Sequence, residues 1–364
     1  MSAFSRRLGW AVAAVCASYA GTPALAKEQA DLILTGGTIH DGSDAASRVG
    51  DVAIRGDKIV YVGKNAKERF SAARVIDVKG KIVAPGFIDP HTHPDEFVRS
   101  KDPTQRLTPA WLFQGATTLM IGVDGAGTPD IDAEAARIEN DGIGLNLGAY
   151  VGFGRVRSAV LNQDAREPTA DELSKMRAMV ADGMCKGAFG LSAGLFYAPQ
   201  SFAKTEEVIA LAKEAAQRGG IYDTHQRDES SYSIGLLGST REVLRIGREA
   251  NLPVHFAHIK ALGVDVHGQA DAVIKLVNEA HASGQKVTAD QYPWLASGTG
   301  LSAALLPRWA VDGGRPALLK RLDDAATLQK IREEMRENLR RRGGADSLVL
   351  TVAGSPWHGK KLGD

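Results

Sequence analysis

Cysteine is almost absent from this chain of 364 residues: there are two, Cys16 and Cys185. Cys16 falls in a leader-like N-terminus and Cys185 alone has no internal partner, so a disulfide framework is excluded as the basis of the fold. An excess of charge of either sign is missing too. Lys and Arg total 44 against 43 Asp and Glu, a formal net charge of +1, and both signs alternate along the chain. That balance gives no electrostatic footprint for nucleic acid or an anionic bilayer. Long hydrophobic runs are lacking apart from Leu8 to Ala20, which is too short to span a bilayer comfortably. Arg6-Arg7 precedes it and the small-x-small sequence Ala24-Leu25-Ala26 follows, so residues 1–26 read as a secretory signal peptide. Export without disulfides fits a bacterial periplasm or exterior, and the mature chain is expected to have no membrane span.

Residues 27–84 read as β structure. Leu32-Ile33-Leu34, Thr38-Ile39-His40, Val52-Ala53-Ile54, Ile59-Val60-Tyr61-Val62 and Val75-Ile76-Asp77-Val78 are short runs rich in β-branched residues. Gly36-Gly37, Gly56-Asp57 and Gly63-Lys64 separate them as turns. A small antiparallel sheet is expected, its last strand leading into Phe87-Ile88-Asp89-Pro90-His91-Thr92-His93. In an extended strand, residues two apart share a face, so His91 and His93 are predicted to converge as half of a metal site. Two polar residues merely ending a strand is the plainer alternative, and the rest of the chain decides between them.

From there the pattern changes. Strand candidates at Thr117–Gly122, Leu145–Val151, Ala188–Ser192, Gly220–His225, Pro253–Lys260 and Lys286–Pro293 alternate with amphipathic stretches such as Ala170–Met184, Thr205–Gln217, Arg241–Ala250 and Ala270–Ser283. Repeated strand–helix units predict a parallel β/α structure over residues 85–364. Counting from Phe87 gives seven strands, one short of a closed (β/α)8 TIM-like barrel, in which catalytic groups sit at the C-terminal strand ends. Polar residues fall there: His91 and His93, Asp124, His225, His258 with Lys260, and Asp290. Four imidazoles and a carboxylate suit one or two ions, zinc first.

The stretches Ala84-Pro85-Gly86-Phe87-Ile88-Asp89-Pro90-His91-Thr92-His93, Gln114-Gly115-Ala116-Thr117-Thr118, Gly190-Leu191-Ser192-Ala193-Gly194-Leu195-Phe196-Tyr197-Ala198-Pro199, Thr224-His225-Gln226-Arg227-Asp228-Glu229, His258-Ile259-Lys260 and Asp290-Gln291-Tyr292-Pro293 follow one another in order. Together they resemble the amidohydrolase superfamily, and within it the N-acyl-D-amino-acid deacylases. The resemblance implies an α/β fold, a (β/α)8 barrel beside a small N-terminal β-sandwich, and Zn2+. It implies hydrolysis of N-acyl-D-amino acids to a carboxylate and a free D-amino acid. His225 and His258 match ligands of a tightly bound ion, His91 and His93 those of a weaker second site, and Lys260, Tyr197 and Tyr292 residues that hold the small-molecule substrate.

Two departures stand out. Asp124 occupies the place of a family cysteine, keeping the charge but offering a harder ligand; capping the following turn is the competing role. The family's general-base aspartate, after strand eight, has no counterpart before Asp364. Ser347 to Ala353 passes for an eighth strand, but the resemblance places residues 300–364 in an insertion before it, so the chain reads as truncated and poorly active. A cyclic-amide hydrolase shares the His-x-His start but usually needs a carboxylated lysine at the end of strand four, where only Lys186 is near. A secreted metal-binding protein without catalysis is the third reading. Arg340-Arg341-Arg342 reads as a solvated face, His255 as a packing residue on the strand face opposite His258, and His267, His281 and His358 as solvent-facing.

Overall fold

The computed structural model describes residues 26–364, so the leader, Ala26 apart, and Cys16 lie outside it. The chain divides into two compact units, one ending at Pro85 and one running Gly86–Asp364.

The first unit is one five-stranded sheet in the order β3-β2-β1-β4, with β1 at Glu28–Ile39, β2 at Arg48–Arg55, β3 at Lys58–Gly63 and β4 at Phe70–Asp77. The short β5, Ile82–Val83, pairs with the far end of β1. Gly56, at φ 58°, takes the first place of the two-residue β2–β3 loop, where positive φ matches the strand twist. The expected antiparallel sheet is corrected here: β1–β2 and β2–β3 are antiparallel, but β4 and β5 run parallel to β1. Strands β3 and β4 therefore point the same way, and their link must cross the sheet. A one-turn helix, Ala66–Arg69, makes that crossing and buries Ala66 among Ile33, Ala53 and Phe70. This unit is a single mixed sheet, not the two-sheet sandwich that was expected.

The second unit is α/β and TIM-barrel-like. Parallel strands follow in chain order: β6 (Phe87–Asp89), β7 (Ala116–Ile121) and β8 (Asn146–Ala149) in one sheet. A second sheet holds β9 (Val151–Gly152), β10 (Gly190–Gly194), β11 (Ile221–His225), β12 (Val254–Phe256) and β13 (Val287–Ala289). Tyr150 separates β8 from β9, so the two pieces together take the third of seven strand positions. Alternation along the strands sorts the side chains. Leu191, Tyr222, Val254 and Val287 lie in register and belong to the apolar core that includes Val180, Leu211 and Val243. Each such side chain, fully buried, is worth roughly 1.5–3 kcal/mol. The next residues in the same registers, Ser192, Asp223, His255 and Thr288, form a polar row on the opposite face.

After β13 the chain turns helical, at Leu301–Leu305, Gly314–Asp323 and Ala325–Arg341. Ser347 to Ala353 forms no strand; Val349 makes one isolated bridge to Lys361. Among the described residues no strand pairs with the outer side of β6 or of β13, and Phe87 and Ile88 of β6 are each 65% exposed. No helix of the described residues is long and apolar enough to cross a membrane.

Candidate active site

The strands end earlier than their sequences suggest. β6 stops at Asp89, before Pro90, so His91 and His93 lie in the bend beyond it rather than on one strand face. They still converge, on opposite oxygens of one carboxylate. His91 Nε2 lies 3.3 Å from Asp124 Oδ1, and His93 Nε2 lies 3.4 Å from Asp124 Oδ2. The His91 side chain is 3% exposed and that of His93 61%, so only the first is locked in place.

Asp124 sits three residues past β7 at φ 54°, between Gly122 and Gly125, which are also at positive φ. Two buried side chains hold that loop. Ser192 Oγ donates to Gly122 O at 2.5 Å and accepts the Gly125 N–H at 3.1 Å. Gln200 Nε2 donates to Asp124 O at 2.8 Å while its Oε1 accepts the Gly194 N–H at 2.8 Å. The backbone packs so closely that a Cβ on Gly127 would lie 2.0 Å from Tyr150 O, and one on Gly152 would lie 2.4 Å from Gly125 O. Asp124 is therefore presented by a rigid platform, and its side chain does not act as a cap: it faces the two imidazoles.

Across the cavity, His225 Nδ1 and His258 Nε2 are 3.0 Å apart, and the His91 and His258 ring centroids are 5.2 Å apart. β12 ends at Phe256, and His258 turns into the cavity at φ 35°, its backbone N–H donated to Asp290 Oδ1 at 2.5 Å. That left-handed residue defeats the parity argument for His255. His255 faces the polar row, with Nδ1 2.7 Å from Thr288 Oγ1 and Nε2 2.8 Å from Asp290 Oδ2. It buttresses Asp290 instead of packing in the apolar layer. Lys260 Nζ donates to Glu229 Oε1, also at 2.7 Å, and Glu229 stands beside both His225 and His258.

All eight residues singled out from the sequence (His91, His93, Asp124, His225, His258, Lys260, Tyr197 and Tyr292) line one cavity of about 580 Å³. The Tyr197 ring is 4.9 Å from that of His225, and the buried Tyr292 hydroxyl has no hydrogen-bond partner. Sequence reasoning missed Asp223, although it lies two residues before His225 on the same strand. It is fully buried, and its Oδ2 lies 3.0 Å from His91 Nδ1, which fixes the ring so that Nε2 points at Asp124. Lys186 is not in the cavity; it pairs with Asp132 and Asp182 on the surface. Arg157 is likewise elsewhere, buried against Glu207. His267, His281 and His358 are exposed.

The electrostatics follow from this packing. Burial opposes charge on His91, yet Asp124 and Asp223 overcome it and push the imidazole up to about 10. Burial works against the Asp124 carboxylate too, but His91 and His93 hold it far below the usual range. Burial lowers His225 to about 4, leaving it neutral and ready to donate a lone pair. His91 Nε2 and Asp124 Oδ1 face each other at 3.3 Å without hydrogen-bond alignment, and both buried atoms are left without a partner. Two sets of donor atoms, from His91, Asp124 and His258 and from His225, Glu229 and His258, each lie within 4.8 Å of one another. Nitrogen and oxygen donors so placed fit zinc, and orphaned buried atoms are what a cation satisfies.

The chain belongs to the amidohydrolase family, whose description matches residues 74–341. Among its relatives it is similar to the D-aminoacylase of Alcaligenes xylosoxydans xylosoxydans, at 34% identity over 74% of this chain and 58% of that protein. It is similar also to the N-acyl-D-aspartate deacylase of the same organism, at 33% identity over 75% of this chain and 58% of the relative. A solved structure of N-acyl-D-glutamate deacylase from Bordetella bronchiseptica, complexed with zinc and a phosphonate inhibitor, superposes with a TM-score of 0.67 at 31% identity, covering 73% of this chain and 59% of the other. The chain thus spans a little over half the length of the curated relatives it matches.

An imidazole that binds metal through one nitrogen is oriented through the other. Asp223→Asn is therefore expected to weaken zinc binding about 10- to 100-fold, read by competition with a chromophoric chelator.

Proposed function

We propose that this chain carries the metal centre of a hydrolase that cleaves N-acyl-D-amino acids at the amide bond, releasing a carboxylate and a D-amino acid. One observation carries the reading. His91, His93, Asp124, His225 and His258, drawn from four separate segments, meet at one cavity with an unpartnered imidazole nitrogen facing an unpartnered carboxylate oxygen. The names of the relatives supply the substrate class.

His225 and His258 would hold a first ion and His91 and His93 a second, with Asp124 as the carboxylate beside them. Bound zinc would supply Lewis acidity toward the amide carbonyl and a nucleophile at neutral pH. The chain's own groups do the rest. Asp223 and Asp290 hold His91 and the His258 backbone at fixed angles. Tyr197 and Tyr292 line the cavity and would offer phenol hydroxyls to a carbonyl oxygen gaining charge, where fixed donors count most. Lys260, tethered to Glu229, sets a positive charge beside His258. Among the described residues, three of the cavity carboxylates are engaged by cationic or imidazole side chains, and Asp89, which burial pushes above the usual carboxylate range, is not. Asp124 faces two imidazoles, Glu229 holds Lys260, Asp290 holds His255, and Asp89 accepts the His91 backbone N–H at 3.2 Å.

The cyclic-amide reading needs a lysine at the end of the fourth strand, but Lys186, the one nearest β10, is tied up on the surface, and Lys260, the cavity lysine, follows β12 and pairs with Glu229. The test is turnover of N-acetyl-D-amino acids, N-acetyl-L-amino acids and hydantoin by the full-length protein, before and after chelation. D-selective amide hydrolysis that chelation abolishes and added zinc restores is expected. Zinc binding without turnover of any of these would leave a metal-binding protein in its place. We also propose export, with the mature chain starting after Ala26; N-terminal sequencing of protein from the cell envelope reads this directly.

A further inference from the structure

We propose that Arg342 forms a subsite for a second carboxylate of the substrate, so that the preferred substrates are N-acyl derivatives of D-amino acids with an acidic side chain. The proposal rests on the hydrolase reading above and extends it to side-chain choice.

The run Arg340-Arg341-Arg342 closes the helix Ala325–Arg341 and was expected to be a solvated face. Arg340 meets that expectation, pairing with Asp265 at 2.7 Å and Glu337 at 2.8 Å on the surface. Arg342 does not. It is partly buried and lines the same cavity as the imidazoles. Its Nε donates to the Tyr232 hydroxyl at 2.6 Å, and that hydroxyl donates to Ala304 O at 3.0 Å, so the guanidinium is fixed in orientation. Among the described residues, no carboxylate pairs with Arg342, and its two Nη groups have no hydrogen-bond partner.

Arg308, on a neighbouring segment, lines an adjoining cavity with Glu334 and Glu337 and adds positive charge behind the same aromatic ring. Its Cζ lies 4.1 Å over the Phe196 ring and Nη1 donates to Ala303 O at 2.9 Å, while Nη2 is buried without a partner. No carboxylate among the described residues pairs with it either. The Arg342 Cζ stands 6.0 Å from the same Phe196 ring. By contrast, Arg157 is neutralised by Glu207, Arg227 by Glu242 and Lys260 by Glu229. A partly buried guanidinium without a counter-ion, with a second one close behind it, is costly unless an anion joins it. A planar fork of N–H donors suits a carboxylate.

Position selects which carboxylate. The Phe196 ring is 5.6 Å from that of His225, so Arg342 stands one aromatic ring outward from the imidazoles. The α-carboxylate of an N-acyl amino acid is two bonds from the amide nitrogen and stays close in, on the side of Lys260. The outer carboxylate of an aspartyl or glutamyl side chain extends farther and meets Arg342.

The full-length zinc-loaded protein is assayed with N-acetyl-D-glutamate, N-acetyl-D-aspartate and N-acetyl-D-leucine. The acidic substrates are expected to have the higher kcat/KM. Arg342→Met should lower the acidic-to-neutral ratio of kcat/KM by about 10- to 100-fold, the range of a charge-assisted hydrogen-bonded contact. Arg342→Lys should restore part of it, since the charge returns without the fork. A preference for N-acetyl-D-leucine, or an equal proportional loss on all three substrates in Arg342→Met, overturns the proposal. A binding arm needs no turnover: glutarate should raise the melting temperature of the wild type more than valerate does, and Arg342→Met should erase that difference. Absence of turnover on every N-acyl-D-amino acid would count against the hydrolase reading alone. The subsite then stands or falls on glutarate, and equal effects of glutarate and valerate on the wild type would sink it.

Discussion

His258→Ala is expected to abolish metal binding at the inner site and, with it, hydrolysis. His258 belongs to both donor sets, with His91 and Asp124 on one side and with His225 and Glu229 on the other. Its loss thus removes a ligand that no neighbour replaces. Metal catalysis of this kind contributes several kcal/mol of transition-state stabilisation, so kcat/KM should fall by about 10³-fold or more. The check is metal content per chain by elemental analysis, alongside turnover. His225→Ala should match it, because the neutral His225 ring is the other inner donor. His93→Ala should do less: that ring is mostly solvent-exposed and is held by a single contact with Asp124. If His93→Ala strips the metal and His258→Ala leaves it, the assignment of inner and outer ligands is reversed.

Gly127→Ala is expected to be nearly as damaging, from a position that touches no ion. The added methyl would sit 2.0 Å from the Tyr150 carbonyl oxygen, a backbone atom with no freedom to rotate away. Overpacking of a fixed interior costs up to about 3 kcal/mol, and the only relief is to shift the segment from Gly122 to Gly127. Asp124 rides on that segment. A lower melting temperature together with reduced zinc content is the expected pair of results. Gly42→Ala is the control: it sits at positive φ, which Gly127 does not, but nothing lies within 4 Å of its Cβ position, so it should lose a little stability and no metal.

Much of this was legible in the sequence, and the misses share a cause. Alternation of strand and helix patterns gave the order of elements, because the apolar layer under each helix imposes its period on the residues. The mouth residues were legible as well, since His, Asp and Lys after short apolar runs are unusual. Strand parity failed wherever the chain left the strand before the residue in question. His255 was set in the apolar layer because β12 was carried through to Lys260, whereas it ends at Phe256 and His258 adopts a left-handed conformation. Asp223 went unassigned because a lone carboxylate in a strand carries no sign of which ring it meets across the sheet. Arg342 looked like the end of a charged helix, and only the packing of Tyr232 and Phe196 against it reveals a different role. In the first unit the turn signals were found, but no local signal tells that a link crosses a sheet, and the direction of β4 was misjudged.

The outer sides of β6 and β13 have a consequence for handling the protein. Among the described residues neither has a strand partner on that side, and on β6 two large apolar side chains stand beside it. Such a margin is a template that another polypeptide extends by hydrogen bonding. Concentrated solutions of this chain will accordingly tend to assemble edge to edge, and peptides of high β propensity will be effective at capping it.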